Sequence, residues 1–319
     1  MSTMWGKIMK IAAISDLHIS DKCPKNRKDK NYLEVCFRKF IDVLTICEER
    51  DIDTLIIGGD IFEYATVPRH VVTSFLKIIH SWDIQILIVP GQHDLRYHKK
   101  GLDNTPLGNM IAGGGMTLLE PDNAYSLSTP ETDILIVGQG WEEKVTAFGD
   151  ILVTHRMVTK KGPLWPGQTD YVSAAGILNK YKGFKCIISG DNHKSHSFLD
   201  SKNSRCQINC GSVMRSKKDQ IDHIPTVWII DTNTWTFDQI KIKIDPPKDV
   251  FDYAKIAIEE TKENARKESQ EKIDAFVASF NQKDGERVEF KTIVKKVITD
   301  TKPKQSVITI IDNILEKVS

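Results

Sequence analysis

Apolar runs in the 319-residue chain stop at about six residues, far short of the roughly 20 that a membrane-spanning helix needs, so no membrane association is expected. Charge of one sign is also scarce in excess: 44 Lys and Arg face 43 Asp and Glu, a net +1. There is no global basic field for gripping nucleic acid. Any such binding must come from a local patch or from bound metal ions. Cysteine is sparse and shows no CxxC pair, with Cys23, Cys36, Cys47, Cys186, Cys206 and Cys210 scattered along the chain. Reduced thiols and a cytoplasmic location are expected. Cys206 and Cys210 are a candidate soft metal pair, but they stand in a strand-like segment with no other soft ligand beside them. The opening MSTMWGKIMKIAAISD has neither the long apolar core nor the small-residue cleavage site of a signal peptide. Internal repeats and low-complexity segments are absent.

What is present alternates in type. IMKIAAIS, TLIIGG and IQILIV are apolar strands. Between the first two, Leu33, Phe37, Phe40, Ile41, Leu44 and Cys47 share one helical face. Between the second and third, Pro68 opens a helix carrying Val71, Val72, Phe75, Ile78 and Ile79. This β-α-β-α-β order predicts parallel strands with right-handed crossovers. From 116 to 245 strands dominate, with one helix within 170–182, and a second sheet packed on the first is expected. IDTNTW reads as a late hairpin turn. KIDPPKD (243–249) marks a boundary between a domain over 1–245 and a helical region over 246–319. In that region Phe290, Ile293, Val294, Val297 and Ile298 form one stripe. Val307, Ile310, Ile311, Ile314, Leu315 and Val318 form another, with Ser306 as its candidate N-cap.

Chemistry gathers where strands stop. Asp16 and His18 follow the first strand, Asp60 the second, and Gln92, His93 and Asp94 the third. His155 ends DILVTH, and Asp191 and His193 follow KCIISG. In open α/β sheets the carboxyl ends of strands line the ligand crevice, so these groups should converge. Any one of them alone would be a cap or a turn residue; recurrence at five strand ends of one sheet system has no such explanation. His70, His80, His98 and His223 lack this context, and His196, three residues after His193, is left open. Crowded carboxylates need a cation, and a mixed Asp, His and amide set suits Mn, Fe or Zn better than Ca or Mg. Asp60 is the candidate bridge between two ions that clamp a phosphoryl group.

The motifs DLH, GGD, GQHD, the isolated His155 and GDNH resemble those of the calcineurin-like metallophosphoesterases, usually DxH, GDxx, GNHD/E, H and GHxH. The resemblance implies a four-layer α/β/β/α sandwich, here with a C-terminal helical extension. It implies a first metal held by Asp16, His18, Asp60 and His193, and a second held by Asp60, Gln92, His155 and Asp191. The ions would be Mn2+, with Fe2+ or Zn2+ as alternatives, and a hydroxide between them the nucleophile. His93 would assist at the phosphoryl or leaving oxygen, with Asp94 orienting its ring. GGDIF with GQHD, and INCGSVMR in the place of PGS-x-x-R, are similar to the SbcD-type DNA exonucleases. That likeness implies a nuclease dimer acting on DNA with an SbcC-like coiled-coil ATPase, gripped by C-terminal helices.

Two positions depart from the family pattern. Gln92 stands for asparagine and Asp191 for the first histidine of GHxH, both on the second metal. A longer reach on one side and a shorter one on the other would compensate; Asn192 is an alternative ligand to Asp191. The family's usual capping domain is missing or reduced. In 248–319 basic and acidic side chains balance, so the tail is no evident DNA grip; its stripes suit either a partner or a small bundle of its own. Two rival functions share the motifs: a phosphatase or phosphodiesterase of small molecules, and a scaffold subunit without turnover.

Overall fold

A computed structural model describes residues 9–98, 101–128, 133–281 and 290–301, with 305 and 308. Its elements begin with β1 (Lys10–Ile14), α1 (Tyr32–Glu49), β2 (Thr54–Ile57), α2 (Arg69–His80) and β3 (Gln85–Ile88). There follow α3 (Pro106–Ala112), β4 (Thr117–Leu118), β5 (Tyr125–Ser128), β6 (Asp133–Gln139) and β7 (Ile151–His155). Next are β8 (Val158–Thr159), β9 (Val172–Ser173), α4 (Ala174–Lys180), β10 (Cys186–Gly190), β11 (His196–Asp200) and β12 (Arg205–Asn209). The hairpin of β13 (Thr226–Asp231) and β14 (Thr236–Lys241) precedes α5 (Pro247–Val250), α6 (Tyr253–Asn281) and α7 (Phe290–Thr301).

Two six-stranded sheets result, ordered β14-β13-β1-β2-β3-β4 and β11-β12-β10-β7-β6-β5. β1 to β4 run parallel, as do β12, β10, β7 and β6. The period-2 alternation of strand side chains sorts the core into layers. Ala12, Ile14, Leu55, Ile57, Ile86 and Ile88 face α1 and α2, while Ile11, Ala13, Ile56, Leu87 and Val89 face the second sheet. On the second sheet Ile151, Val153, Cys186 and Ile188 point inward, and Leu152 and Ile187 outward onto Ala174, Ile177 and Leu178 of α4. The order of layers is therefore α/β/β/α. Phe75 of α2 anchors the first helical layer, its ring centroid 4.8 Å from that of Phe40 and 6.1 Å from that of Phe62. Truncation of such a buried ring costs about 3–5 kcal/mol.

Three strands expected in the second sheet belong to the first: β4 pairs with β3, and the hairpin of β13 and β14 covers the open edge of β1. β13 suits that place because both its faces are apolar, Val227 and Ile229 toward the helices and Trp228 and Ile230 toward the other sheet. Its turn is the expected one, with Asp231 Oδ1 accepting the N–H groups of Asn233 and Thr234. The sequence reading missed the short strands β5, β8 and β9. It also missed α3, although Thr105 caps it by accepting Gly108 N–H and Pro106 opens it.

The chain divides into two compact units, Met1–Ile256 and Ala257–Ser319. Residues 246–256, placed by sequence in the C-terminal region, join the first unit: Val250, Phe251 and Ile256 are buried with Ile221 against them. In the second unit the described residues are helical; α7 carries the 290–298 stripe, and the 307–318 stripe, with Ser306, lies outside the described residues but for 308. All six cysteines are free, and Cys206 and Cys210 lie in the core between the sheets. Among the described residues no helix is long and apolar enough to cross a membrane.

Candidate metal centre

The carboxyl ends of both parallel strand sets open on one place, and the loops reach it by unusual backbone. Asp16, His18, Asp60 and Asp191 have φ of 53°, 47°, 52° and 75°, the left-handed region that side chains other than glycine rarely adopt. Such conformations persist where neighbours over-determine them. Here the first two loops are stitched together: Asp16 N–H donates to the Gly59 carbonyl and His18 N–H to that of Asp60, each at 3.0 Å. At Gly91 a side chain would collide with the Asp60 carboxylate, so glycine is required there.

Asp60 lies at the centre. Its Oδ1 accepts the His93 backbone N–H at 2.9 Å, and its Oδ2 faces His155 Nε2 at 3.3 Å. Asp16 Oδ1 lies 3.7 Å from His18 Nε2 and 3.6 Å from His193 Nε2, and the two Nε2 atoms are 3.2 Å apart. Three triplets bring one potential ligand atom each within 4.8 Å of the others: Asp16, His18 and His193; His18, Asp60 and His93; Asp16, Asp60 and His155. Gln92 Nε2 donates to Asp191 Oδ1 at 3.2 Å, and the Asp191 backbone N–H donates to Asp16 Oδ2. The two departures from the family pattern thus touch each other. Asp191 enters none of the triplets, and His93 enters one although its motif implied a catalytic rather than a ligating place.

The site fits a divalent cation. Asp16 Oδ1, Asp60 Oδ2, Gln92 Oε1 and His155 Nε2 are buried and make no well-formed hydrogen bond among the described residues; Asp60 Oδ2 and His155 Nε2 meet only as an ion-pair contact. Four such orphans in one spot would be costly unless an ion pairs with them. The electrostatics agree. Burial opposes charge on His18, yet the surrounding carboxylates of Asp16, Glu63 and Asp60 raise it to about 10. Burial likewise opposes charge on His155, and the Asp60 carboxylate outweighs it. Positive charge is wanted here. His193 behaves otherwise: burial pushes it down to about 4, so it is neutral.

Asp94 does not do what the sequence suggested. Its carboxylate accepts four backbone N–H groups, from Asp60, Ile61, Phe62 and Gly91, at 2.9 to 3.3 Å. The His93 ring is oriented instead by the Glu63 carbonyl, 2.7 Å from its Nδ1. The short turn over Gln92–Asp94 folds Asp94 back under the loop that carries Asp60, away from the ring of its neighbour. Asn192, the alternative to Asp191, is also engaged elsewhere, donating to the Val158 carbonyl and accepting Lys194 N–H.

Three contributors escaped the sequence reading. Glu63 serves two imidazoles, its carbonyl holding His93 and its carboxylate lying 2.9 Å from His18 Nδ1. It directly follows GGDIF, three positions after Asp60, which is the only signal it gives. Gln220, buried, lies 3.1 Å from His193 Nδ1, and nothing in the sequence marks it. The Gly58 carbonyl meets His155 Nδ1 at 2.6 Å. Arg215, which ends INCGSVMR, is a buried brace: it donates to the carbonyls of Ile221 and Asp245 and lies over the Phe251 ring. His196 caps its own turn through the Lys194 carbonyl, and His223 binds the Ser212 carbonyl.

No curated protein matches this sequence. Among solved structures the chain is similar to a dimetal phosphatase from Danio rerio, at 10% identity and a TM-score of 0.44, over 75% of this chain and 99% of that one. The family model for calcineurin-like phosphoesterases matches residues 9–195, more than half of the sequence and every strand end that supplies the centre. With that match, the two-sheet sandwich and the buried cluster of carboxylates and imidazoles together, the chain belongs to the calcineurin-like phosphoesterase family.

Proposed function

We propose that the protein is a two-metal phosphodiesterase that cleaves DNA as the nuclease subunit of an SbcCD-like complex. The observation that carries the hydrolase reading is the set of buried ligand atoms on Asp16, Asp60, Gln92 and His155 at one sheet pole that make no hydrogen bond among the described residues. Asp16, His18, Asp60 and His193 would hold one ion, and Asp60, Gln92, His155 and Asp191 the other, with Mn2+ the best match to the donor set. Bound there, divalent ions supply Lewis acidity toward a phosphoryl oxygen and lower the pKa of water. The chain's own part is positioning. With His93 Nδ1 directed to the Glu63 carbonyl, the ring presents Nε2 to a phosphoryl or leaving oxygen. Asp94 fixes the loop from which Asp60 projects.

The likeness of GGDIF, GQHD and INCGSVMR to SbcD-type enzymes supports DNA as substrate. So do the exposed Lys160, Lys161, Lys194 and Lys217, close in sequence to His155 and His193 or to the Gln220 turn, on a chain whose net charge is only +1. The C-terminal helices would grip a coiled-coil ATPase in a dimeric assembly. The test is a Mn2+-dependent cleavage assay on DNA, with the ATPase partner present and absent, comparing wild type with His93→Ala and Asp60→Ala. Cleavage by wild type alone is expected. Equal cleavage by all three would sink the assignment, and turnover of a chromogenic phosphodiester with none on DNA would move the substrate to small molecules.

A further inference from the structure

Four histidines line the centre, and the partner of each Nδ1 decides which nitrogen carries the proton. For His18, His93 and His155 that partner is an acceptor: the Glu63 carboxylate at 2.9 Å, the Glu63 carbonyl at 2.7 Å and the Gly58 carbonyl at 2.6 Å. With Nδ1 turned to an acceptor, Nε2 is the nitrogen each of these rings offers to an ion, the usual arrangement around metals.

His193 is the exception. Its Nδ1 lies 3.1 Å from Gln220 Nε2. The orientation of this amide is fixed from its other end, where Oε1 accepts the backbone N–H groups of Ser216 and Lys217 at 2.8 and 2.9 Å and faces the Ser216 hydroxyl at 3.3 Å. Reversing the amide would set its NH2 against two backbone donors at a residue 2% exposed. Gln220 therefore donates to His193, whose Nδ1 must accept.

We infer that Gln220 is a positioning residue that holds His193 as the Nε2–H tautomer, opposite to the other three histidines, and thereby weakens ion binding at the position framed by Asp16, His18 and His193. The inference rests on the metal reading above. A hydrogen on His193 Nε2 occupies the direction in which a ligand lone pair is needed, and it points at His18 Nε2, 3.2 Å away. Gln220 then donates to His193, and His193 turns its Nε2–H toward His18. For His193 to ligate, its proton must move or the amide must turn.

Gln220→Glu tests this with almost no change of shape. One carboxylate oxygen keeps the Ser216 and Lys217 contacts, and the other accepts from His193 Nδ1–H. Nitrogen-15 NMR of the metal-free protein should show His193 protonated at Nε2 in wild type and at Nδ1 in the variant. Mn2+ titration by electron paramagnetic resonance should show the variant binding at least about 10-fold tighter at one position, the scale of outer partners of metal ligands. Wild-type His193 protonated at Nδ1 would overturn the inference. So would tighter binding without the tautomer change, which would trace the gain to the added charge. If Gln220→Glu does not fold, the wild-type spectrum decides alone. If wild type binds no ion, the metal reading fails while the spectrum still judges the tautomer.

Discussion

On the first sheet's side of the centre, Asp94 takes four backbone N–H groups, Asp60 Oδ1 takes a fifth from His93, and Glu63 holds two imidazoles. On the second sheet's side, the Asp191 carboxylate meets one side-chain amide, that of Gln92, and His193 rests on Gln220. One half is part of the fold's own hydrogen bonding; in the other only His155 rests directly on a backbone carbonyl, while the Asp191 carboxylate and the His193 ring are held by side-chain amides. Both departures from the family pattern meet across the looser half, where a change of reach disturbs no backbone bond. Remodelling is cheapest there.

The largest effect should come from breaking the tight half. Asp94→Ala leaves four backbone donors without an acceptor, at about 1–3 kcal/mol for each that stays buried and dry. Chemical denaturation should show a loss of several kcal/mol, with ion binding lost as well. The pH course carries a sign. Burial, reinforced by the Asp60 charge, pushes the Asp94 carboxyl up to about 7. Between about pH 4 and 7 the folded state then binds more protons than the unfolded one, so this group's contribution to stability falls as pH rises through that window. Asp94→Asn should flatten that slope in metal-free protein.

Cation addition comes next. A saturating ion at about 100 times its Kd should raise stability by about 2.7 kcal/mol, visible as a higher Tm, and Asp60→Asn should abolish most of the shift. A smaller effect sharpens the looser half. Gln92→Asn shortens the reach to Asp191 and should lower turnover about 10-fold, or about 1.4 kcal/mol. Asp191→His alone should also be harmful, whereas the double change should recover much of the loss, a coupling expected of residues in contact. A rise in activity from Gln92→Asn alone would break the pairing. Smallest of all, Asp191→Ala should alter denaturation stability by less than about 1 kcal/mol, since its carboxylate answers one amide.

The distance between sequence and structure follows the same division. The strand-end motifs were legible because each is a short local run, and the alternation of Ile11 to Ile14 or Ile86 to Val89 announces a strand buried on both faces. The role of Asp94 was not, because adjacency to His93 in the chain says nothing of where a turn sends each side chain. Gln220 was invisible for a related reason: it lies 27 positions from His193, inside a turn, and its meaning comes only from contact. β13 and β14 were recognised as strands but placed in the wrong sheet, since pairing across 200 residues leaves no periodic trace.

The left-handed backbone at Asp16, His18, Asp60 and Asp191 has a consequence for anyone who would make this protein hardier. Each position costs about 1–2 kcal/mol that glycine would not incur. A search for heat-resistant variants that never assayed activity would be drawn to these four places first. It would return a sturdier sandwich from which the carboxylates and an imidazole had been traded away, and the fold's most rewarding repairs would be the erasure of its chemistry.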